Sequence, residues 1–125
     1  MQYIILIGDE NLNLNAIKSI VHYQSISSYD VEEIGNRFCV DYGEDHIFYD
    51  YVGNLLEDYD EKDLQFIPFQ NPHFIMMVYS SEKRMKEVLQ QDNFLRGIYV
   101  DNDFGLIVSI EEFIQQGLPM NYEHG

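Results

Sequence analysis

Residues 73–100 read HFIMMVYSSEKRMKEVLQQDNFLRGIYV, and the order of patterns in this stretch decides the fold. The run from His73 to Tyr79 is apolar and β-prone, which is typical of a buried strand. Ser80 and Ser81 are good N-cap residues for the amphipathic helix pattern that follows them. A second short strand pattern spans 97–100. A strand, a helix and a strand in this order predict a right-handed crossover between parallel strands.

The sequence before this stretch contains a first buried strand and a group of shorter ones. Tyr3 to Ile7 is a continuous apolar run that ends at Gly8-Asp9, the pattern of a strand covered on both faces. Three alternating segments at 29–34, 37–42 and 46–52 are separated by turn residues, which predicts an antiparallel meander. Ser109-x-x-Glu112 matches a capping box and begins the last helix.

We therefore predict an α+β (mixed α/β) fold with one mixed parallel and antiparallel sheet, a β-meander and about three helices. The strands that end at Ile7, Tyr79 and Val100 should lie near the centre, with the meander at one side. The first helix is expected from about Leu14 to Tyr23, and 55–63 is expected to be a surface loop with one irregular helical turn. Pro68 has no donor for a strand ladder, so 66–69 is expected along an edge.

Length and composition predict one globular domain over 1–119 and a flexible C-terminal tail over 120–125. The chain has 125 residues and is 46% hydrophobic, which is sufficient for a single core. Cys39 is the only cysteine, so neither an intrachain disulfide nor a cysteine-based zinc site is expected. No apolar run has the length of a signal peptide core or a membrane span. These features predict a cytoplasmic protein without membrane contact.

The formal net charge is −15, and it is distributed unevenly. The stretch from Asp30 to Asp63 carries twelve acidic residues against Arg37 and Lys62, a net charge of −10. Such a field repels DNA, RNA and anionic lipid, so we expect no nucleic-acid partner. Two interpretations of the acidity stay open, namely solubility and electrostatic steering of a basic partner.

Motifs for the common cofactors are absent from the sequence. Neither G-x-G-x-x-G nor G-x-x-x-x-G-K-[ST] occurs, and no two histidines have the i, i+3 or i, i+4 spacing of a helical metal site. No serine stands in a G-x-S-x-G setting. We therefore predict no cofactor, and a binding protein is favoured over an enzyme.

The first functional hypothesis is a small acidic protein-binding domain that blocks or chaperones a basic protein, as immunity proteins and nucleic-acid-mimicking inhibitors do. Tyrosines interleaved with acids favour it, because tyrosine provides a large contact area with few rotatable bonds. The predicted partner-binding residues are Tyr49, Tyr51, Glu57, Asp58, Tyr59, Asp60 and Glu61.

The alternative hypothesis is a metal-dependent enzyme of phosphate chemistry. If the central strands are parallel, Asp9 and Glu10 after the first strand lie at the same carboxyl edge as Asp101 and Asp103. Carboxylates at that edge would be the metal ligands. An accessory domain that acts beside another protein is a third hypothesis, which the sequence does not separate from the first.

Overall fold

The computed structural model of the chain describes residues 1–120, and the predicted tail lies outside this range apart from Met120, which is partly buried against the core. The strands are β1 (Gln2–Gly8), β2 (Ser27–Asp30), β3 (Arg37–Asp41), β4 (His46–Gly53), β5 (His73–Tyr79), β6 (Tyr99–Asp101) and β7 (Ile107–Ser109). The helices are α1 (Leu14–Lys18), α2 (Glu61–Leu64), α3 (Glu82–Leu89) and α4 (Ile110–Gln115), with a 3-10 turn at Leu56–Asp58.

All seven strands form one sheet in the order β2-β3-β4-β5-β1-β6-β7. Every pairing between neighbouring strands is antiparallel. The α+β class and the antiparallel meander β2-β3-β4 at one side of the sheet are confirmed, whereas the prediction of mixed parallel and antiparallel pairing is wrong.

The error has a topological cause. Helix α3 does link two strands that run in the same direction, because β5 and β6 are both antiparallel to β1. They are not neighbours, however, since β1 lies between them and forms hydrogen bonds with both. A strand-helix-strand order is typical of two strands that run in the same direction, but it does not indicate whether a third strand separates them.

Two hydrophobic clusters cover the two faces of the sheet, and β1 contributes to both because its side chains alternate. Ile4 and Leu6 belong to the larger cluster, which also contains residues from α1, α3 and α4. Ile5 and Ile7 belong to the smaller cluster under the segment between β4 and β5. Burial of Ile4 to Ile7 confirms that β1 is covered on both faces.

The segment 54–72 differs from its prediction in two respects. It contains two short helical elements instead of one irregular turn, and Asp60 caps the second by accepting a hydrogen bond from the Asp63 amide at 2.9 Å. Residues 66–69 form no strand at the sheet edge. Ile67 is instead buried in the smaller cluster, so this segment lies on the face of the sheet.

The first helix ends at Lys18, five residues before its predicted end. The chain then turns inward at His22, which is 6% exposed. The His22 Nε2 atom lies 2.7 Å from the Tyr49 hydroxyl, and Nδ1 lies 3.1 Å from the Ile20 carbonyl oxygen. A helix continued to Tyr23 would use the Ile20 carbonyl in its own ladder and would remove this contact.

Candidate functional site

A cavity of about 490 Å³ opens on the sheet face that 54–72 covers. It lies between that segment and strands β1, β4, β5, β6 and β7, and its floor is apolar, with Ile5, Met76 and Ile107 among the residues that form it. Its polar lining consists of four carboxylates and two phenols, which belong to Asp58, Asp63, Asp101, Asp103, Tyr3 and Tyr59. We call this the acidic cavity. Within residues 1–120, no Lys, Arg or His lines the cavity.

Asp101 is the most enclosed carboxylate of the acidic cavity, with 8% of the residue exposed. Its Oδ2 accepts a hydrogen bond from the Tyr59 hydroxyl at 2.7 Å, and its Oδ1 accepts one from the Asp103 amide at 2.8 Å. Burial raises the pKa of Asp101, the charges of Asp103 and Asp63 raise it further, and the two hydrogen bonds act in the opposite direction. The site therefore holds its central carboxylate among like charges, an arrangement that a bound cation would relieve.

Tyr59 forms an aromatic wall beside this carboxylate. Its ring stacks on Phe74, with centroids 5.8 Å apart and planes at 23°. Burial raises the pKa of Tyr59, and so do the hydrogen bond to Asp101 and the nearby acidic charges. The phenol thus remains a proton donor at neutral pH, and its contacts with Phe74 and Asp101 fix the orientation of the ring.

The turn between β6 and β7 supplies the fourth carboxylate. Asp103 has φ of 65°, a left-handed conformation that Asp and Asn adopt more readily than most residues. This geometry places Asp103 near the hydroxyl of Tyr3, whose pKa is raised by burial and, to a smaller extent, by Asp103 and Asp101. Within the described chain, none of the four cavity carboxylates forms a salt bridge.

The structure places the predicted partner-binding residues in different parts of the molecule. Asp58 and Tyr59 line the acidic cavity, and Glu57, Asp60 and Glu61 are exposed on the same segment. Tyr51 lies elsewhere, half-buried, with its hydroxyl 2.9 Å from Nδ1 of His73. The prediction for Tyr49 is corrected, because this residue is 0% exposed and belongs to the core.

The alternative metal ligands do not come together. Asp101 lies opposite Ile5 in the antiparallel register of β1 and β6. Asp9 is four residues further along the chain from Ile5, which corresponds to about 13 Å at ~3.3 Å per residue, and Glu10 follows it. Asp101 therefore lies beside the middle of β1 and Asp103 near Tyr3 at its start, both away from Asp9 and Glu10. Within residues 1–120, no three His, Cys, Asp or Glu side chains are arranged to share a metal ion.

Two of the six acidic and tyrosine residues that line the acidic cavity were not predicted as site residues. Asp63 was recognised only as part of the acidic stretch, and Tyr3 only as part of β1. Alternation along β1 could have indicated the position of Tyr3, because Tyr3 lies on the same face of the strand as Ile5. The proximity of Tyr59 to Asp101, which are 42 positions apart, has no counterpart in the sequence pattern.

Comparison of the chain with protein-family models, with curated proteins and with solved structures finds no match. None of the helices in the described part of the chain has the length and apolarity needed to span a bilayer.

Proposed function

We propose that this chain is a protein-binding domain for a basic partner, and that the acidic cavity receives a lysine or arginine side chain of that partner. The observation that carries the proposal is the composition of the cavity. Four carboxylates line it, and in the described structure no basic side chain neutralises them. A basic side chain has an aliphatic stem that matches the apolar floor and a cationic head that matches the carboxylates. The Tyr59 ring adds a surface for cation–π contact.

The surrounding charge supports the same partner. Glu57, Asp60 and Glu61 are exposed beside the cavity, within the stretch of net charge −10. Such a field raises the rate at which a basic protein encounters this surface. Covering a basic surface would inhibit or protect the partner in the manner of an immunity protein or a nucleic-acid mimic. The same charge disfavours nucleic acid as a ligand.

A cytoplasmic location belongs to this proposal as well. Cys39 is 2% exposed, and burial raises the pKa of its thiol. The only cysteine of the chain is therefore kept protonated and enclosed, which suits a protein that needs no disulfide.

The test compares two variants of equal net charge. In the first, Asp58→Asn, Asp63→Asn and Asp103→Asn remove three cavity charges. In the second, which is the control, Glu10→Gln, Glu44→Gln and Glu112→Gln remove three exposed charges outside the cavity. Both variants change the net charge from −15 to −12.

The probe is a fluorescently labelled hexa-arginine peptide, and binding is followed by anisotropy at low and high salt. We expect the affinity to fall about tenfold in the cavity variant and about twofold in the control, because only the cavity charges contact the guanidinium groups directly. Equal losses in the two variants would contradict the proposal, since they would show that net charge alone attracts the peptide.

Titration with Mg²⁺ and Ca²⁺ tests the metal-dependent alternative. We expect no saturable site tighter than about millimolar, because Asp9 and Glu10 follow the last residue of β1 whereas Asp101 and Asp103 lie beside its middle and its start. Isothermal calorimetry of the wild type and of Asp101→Asn measures this. A micromolar site that is lost in Asp101→Asn would restore the enzyme hypothesis. Weak stabilisation by every cation is expected from relief of self-repulsion and does not count as a site.

A further inference from the structure

We infer that the free edge of β2 is a second docking surface, which pairs with an extended lysine- or arginine-rich segment of a partner protein. The inference rests on the proposed function in one respect, the basic character of the partner. It concerns a different surface, since β2 contributes no residue to the lining of the acidic cavity and three strands, β3, β4 and β5, separate it from β1.

In the described part of the chain, strand β2 is at one end of the sheet and pairs only with β3. The Val31 amide donates to the Arg37 carbonyl at 2.9 Å, so these two residues form a hydrogen-bonded pair of the antiparallel ladder. Bonded pairs alternate with non-bonded pairs along such a ladder. The amide and carbonyl groups of Ser28 and Asp30 therefore point away from β3, toward the open edge.

The edge is more accessible than its counterpart at the other end of the sheet. All four residues of β2 are exposed, whereas β7 has three residues, of which Ile107 is buried. Apolar side chains accompany the open edge, with Ile26 at 69%, Tyr29 at 50% and Ile34 at 58% exposure. An exposed strand edge with adjacent apolar groups is the geometry that strand addition uses.

Charge identifies the occupant as a basic segment. Asp30, Glu32 and Glu33 are exposed at the end of this edge, and of these only Asp30 has an ion-pair partner in the described chain, Lys18 at 2.7 Å. Lysine or arginine on an added strand would face these acids. A second copy of this chain is disfavoured as the occupant, because it would bring the same acids and a further net charge of −15 to the edge.

The test uses the peptide KVKVKV, which has strand propensity and three positive charges, with the full chain. The blocking variant is Ser28→Pro. Proline at this position removes a donor that faces the open edge, leaves the ladder with β3 intact and is tolerated on edge strands. The cavity variant Asp58→Asn, Asp63→Asn, Asp103→Asn is the control, since it changes the acidic cavity and keeps the edge.

We expect Ser28→Pro to weaken peptide binding by about tenfold while its melting temperature stays close to that of the wild type. The cavity variant should retain most of the affinity. In amide hydrogen exchange, the peptide should protect Ser28 and Asp30 in the wild type.

Three results would overturn the inference. The first is unchanged binding by Ser28→Pro, and the second is protection confined to 58–63 and 101–103. The third is self-association of the free wild type through β2 in sedimentation, abolished by Ser28→Pro. Failure here is distinct from failure of the acidic cavity, because the cavity proposal is decided by the two charge-matched triple variants and not by Ser28→Pro.

Discussion

Tyr49→Ala is expected to lower the free energy of unfolding by about 3 to 5 kcal/mol, the range for truncating a buried aromatic residue. The Tyr49 ring is fully buried in the cluster under the helices. It contacts the His22 ring edge-on, with centroids 5.5 Å apart. Since domains of this size are stable by only about 5 to 15 kcal/mol, the loss should be evident in urea unfolding followed by circular dichroism.

The hydrogen bond between the Tyr49 hydroxyl and His22 determines how much stability Tyr49→Phe should lose. Burial lowers the pKa of His22, so the ring is neutral at neutral pH. Its Nδ1 donates to the Ile20 carbonyl, which leaves Nε2 as the acceptor for the Tyr49 hydroxyl. Tyr49→Phe keeps the ring but leaves Nε2 without a donor, at an expected cost of about 1 to 3 kcal/mol.

Tyr51→Ala is the control, because Tyr51 is half-buried on the same strand and should lose less stability. The prediction would be contradicted if Tyr49→Ala unfolded at the same urea concentration as the wild type but released a basic partner faster. That outcome would return Tyr49 to the role of a partner anchor.

The case of Tyr49 shows where sequence reasoning reached its limit on the site. Alternation along β4 already placed Ile47, Tyr49 and Tyr51 on one face, and the first two are fully buried there. The interface prediction relied instead on the chemistry of tyrosine and on its acidic neighbours in sequence. Asp50, the acidic residue next to Tyr49 on β4, points to the other face of the strand, so proximity in sequence does not make Tyr49 part of an acidic surface.

The fold was more accessible to prediction than the site, because local patterns determine most of its elements. Ser81 and Ser109 cap helices as predicted, with the hydroxyls accepting from the amides of Arg84 and Glu112 at 3.1 Å. Strand β5 matches its predicted range of His73 to Tyr79. The insertion of β1 between β5 and β6 is a non-local choice, and no local pattern encodes it.

That same insertion assembles the acidic cavity and separates the predicted metal ligands. With β1 antiparallel to β6, the end of β6 lies beside the middle of β1 and the following turn runs toward its start, so Asp101 and Asp103 come near Tyr3. The segment after β4 then brings Asp58, Tyr59 and Asp63 over the same place. Two of the seven predicted partner-binding residues, Asp58 and Tyr59, thus meet two of the four alternative metal ligands in a site that neither hypothesis described.

Met77→Ala and Ile5→Ala test the two faces of the sheet, and both are expected to cost about 2 to 5 kcal/mol, the range for large-to-small core substitutions. Met77 is fully buried in the cluster under the helices, and its register partner on β1 is Ile4. Ile5 is 9% exposed and also forms part of the floor of the acidic cavity.

The cost should be larger for Met77→Ala, because close-packed neighbours on every side leave a void that water does not fill. The space vacated in Ile5→Ala would join a cavity that already opens to solvent, so less packing is lost. Urea unfolding of both variants measures the difference, and Met76→Ala serves as a half-exposed control on β5. A larger loss for Ile5→Ala than for Met77→Ala would contradict this account, since it would mean that 54–72 closes over β1 and that no open acidic cavity exists to receive a basic side chain.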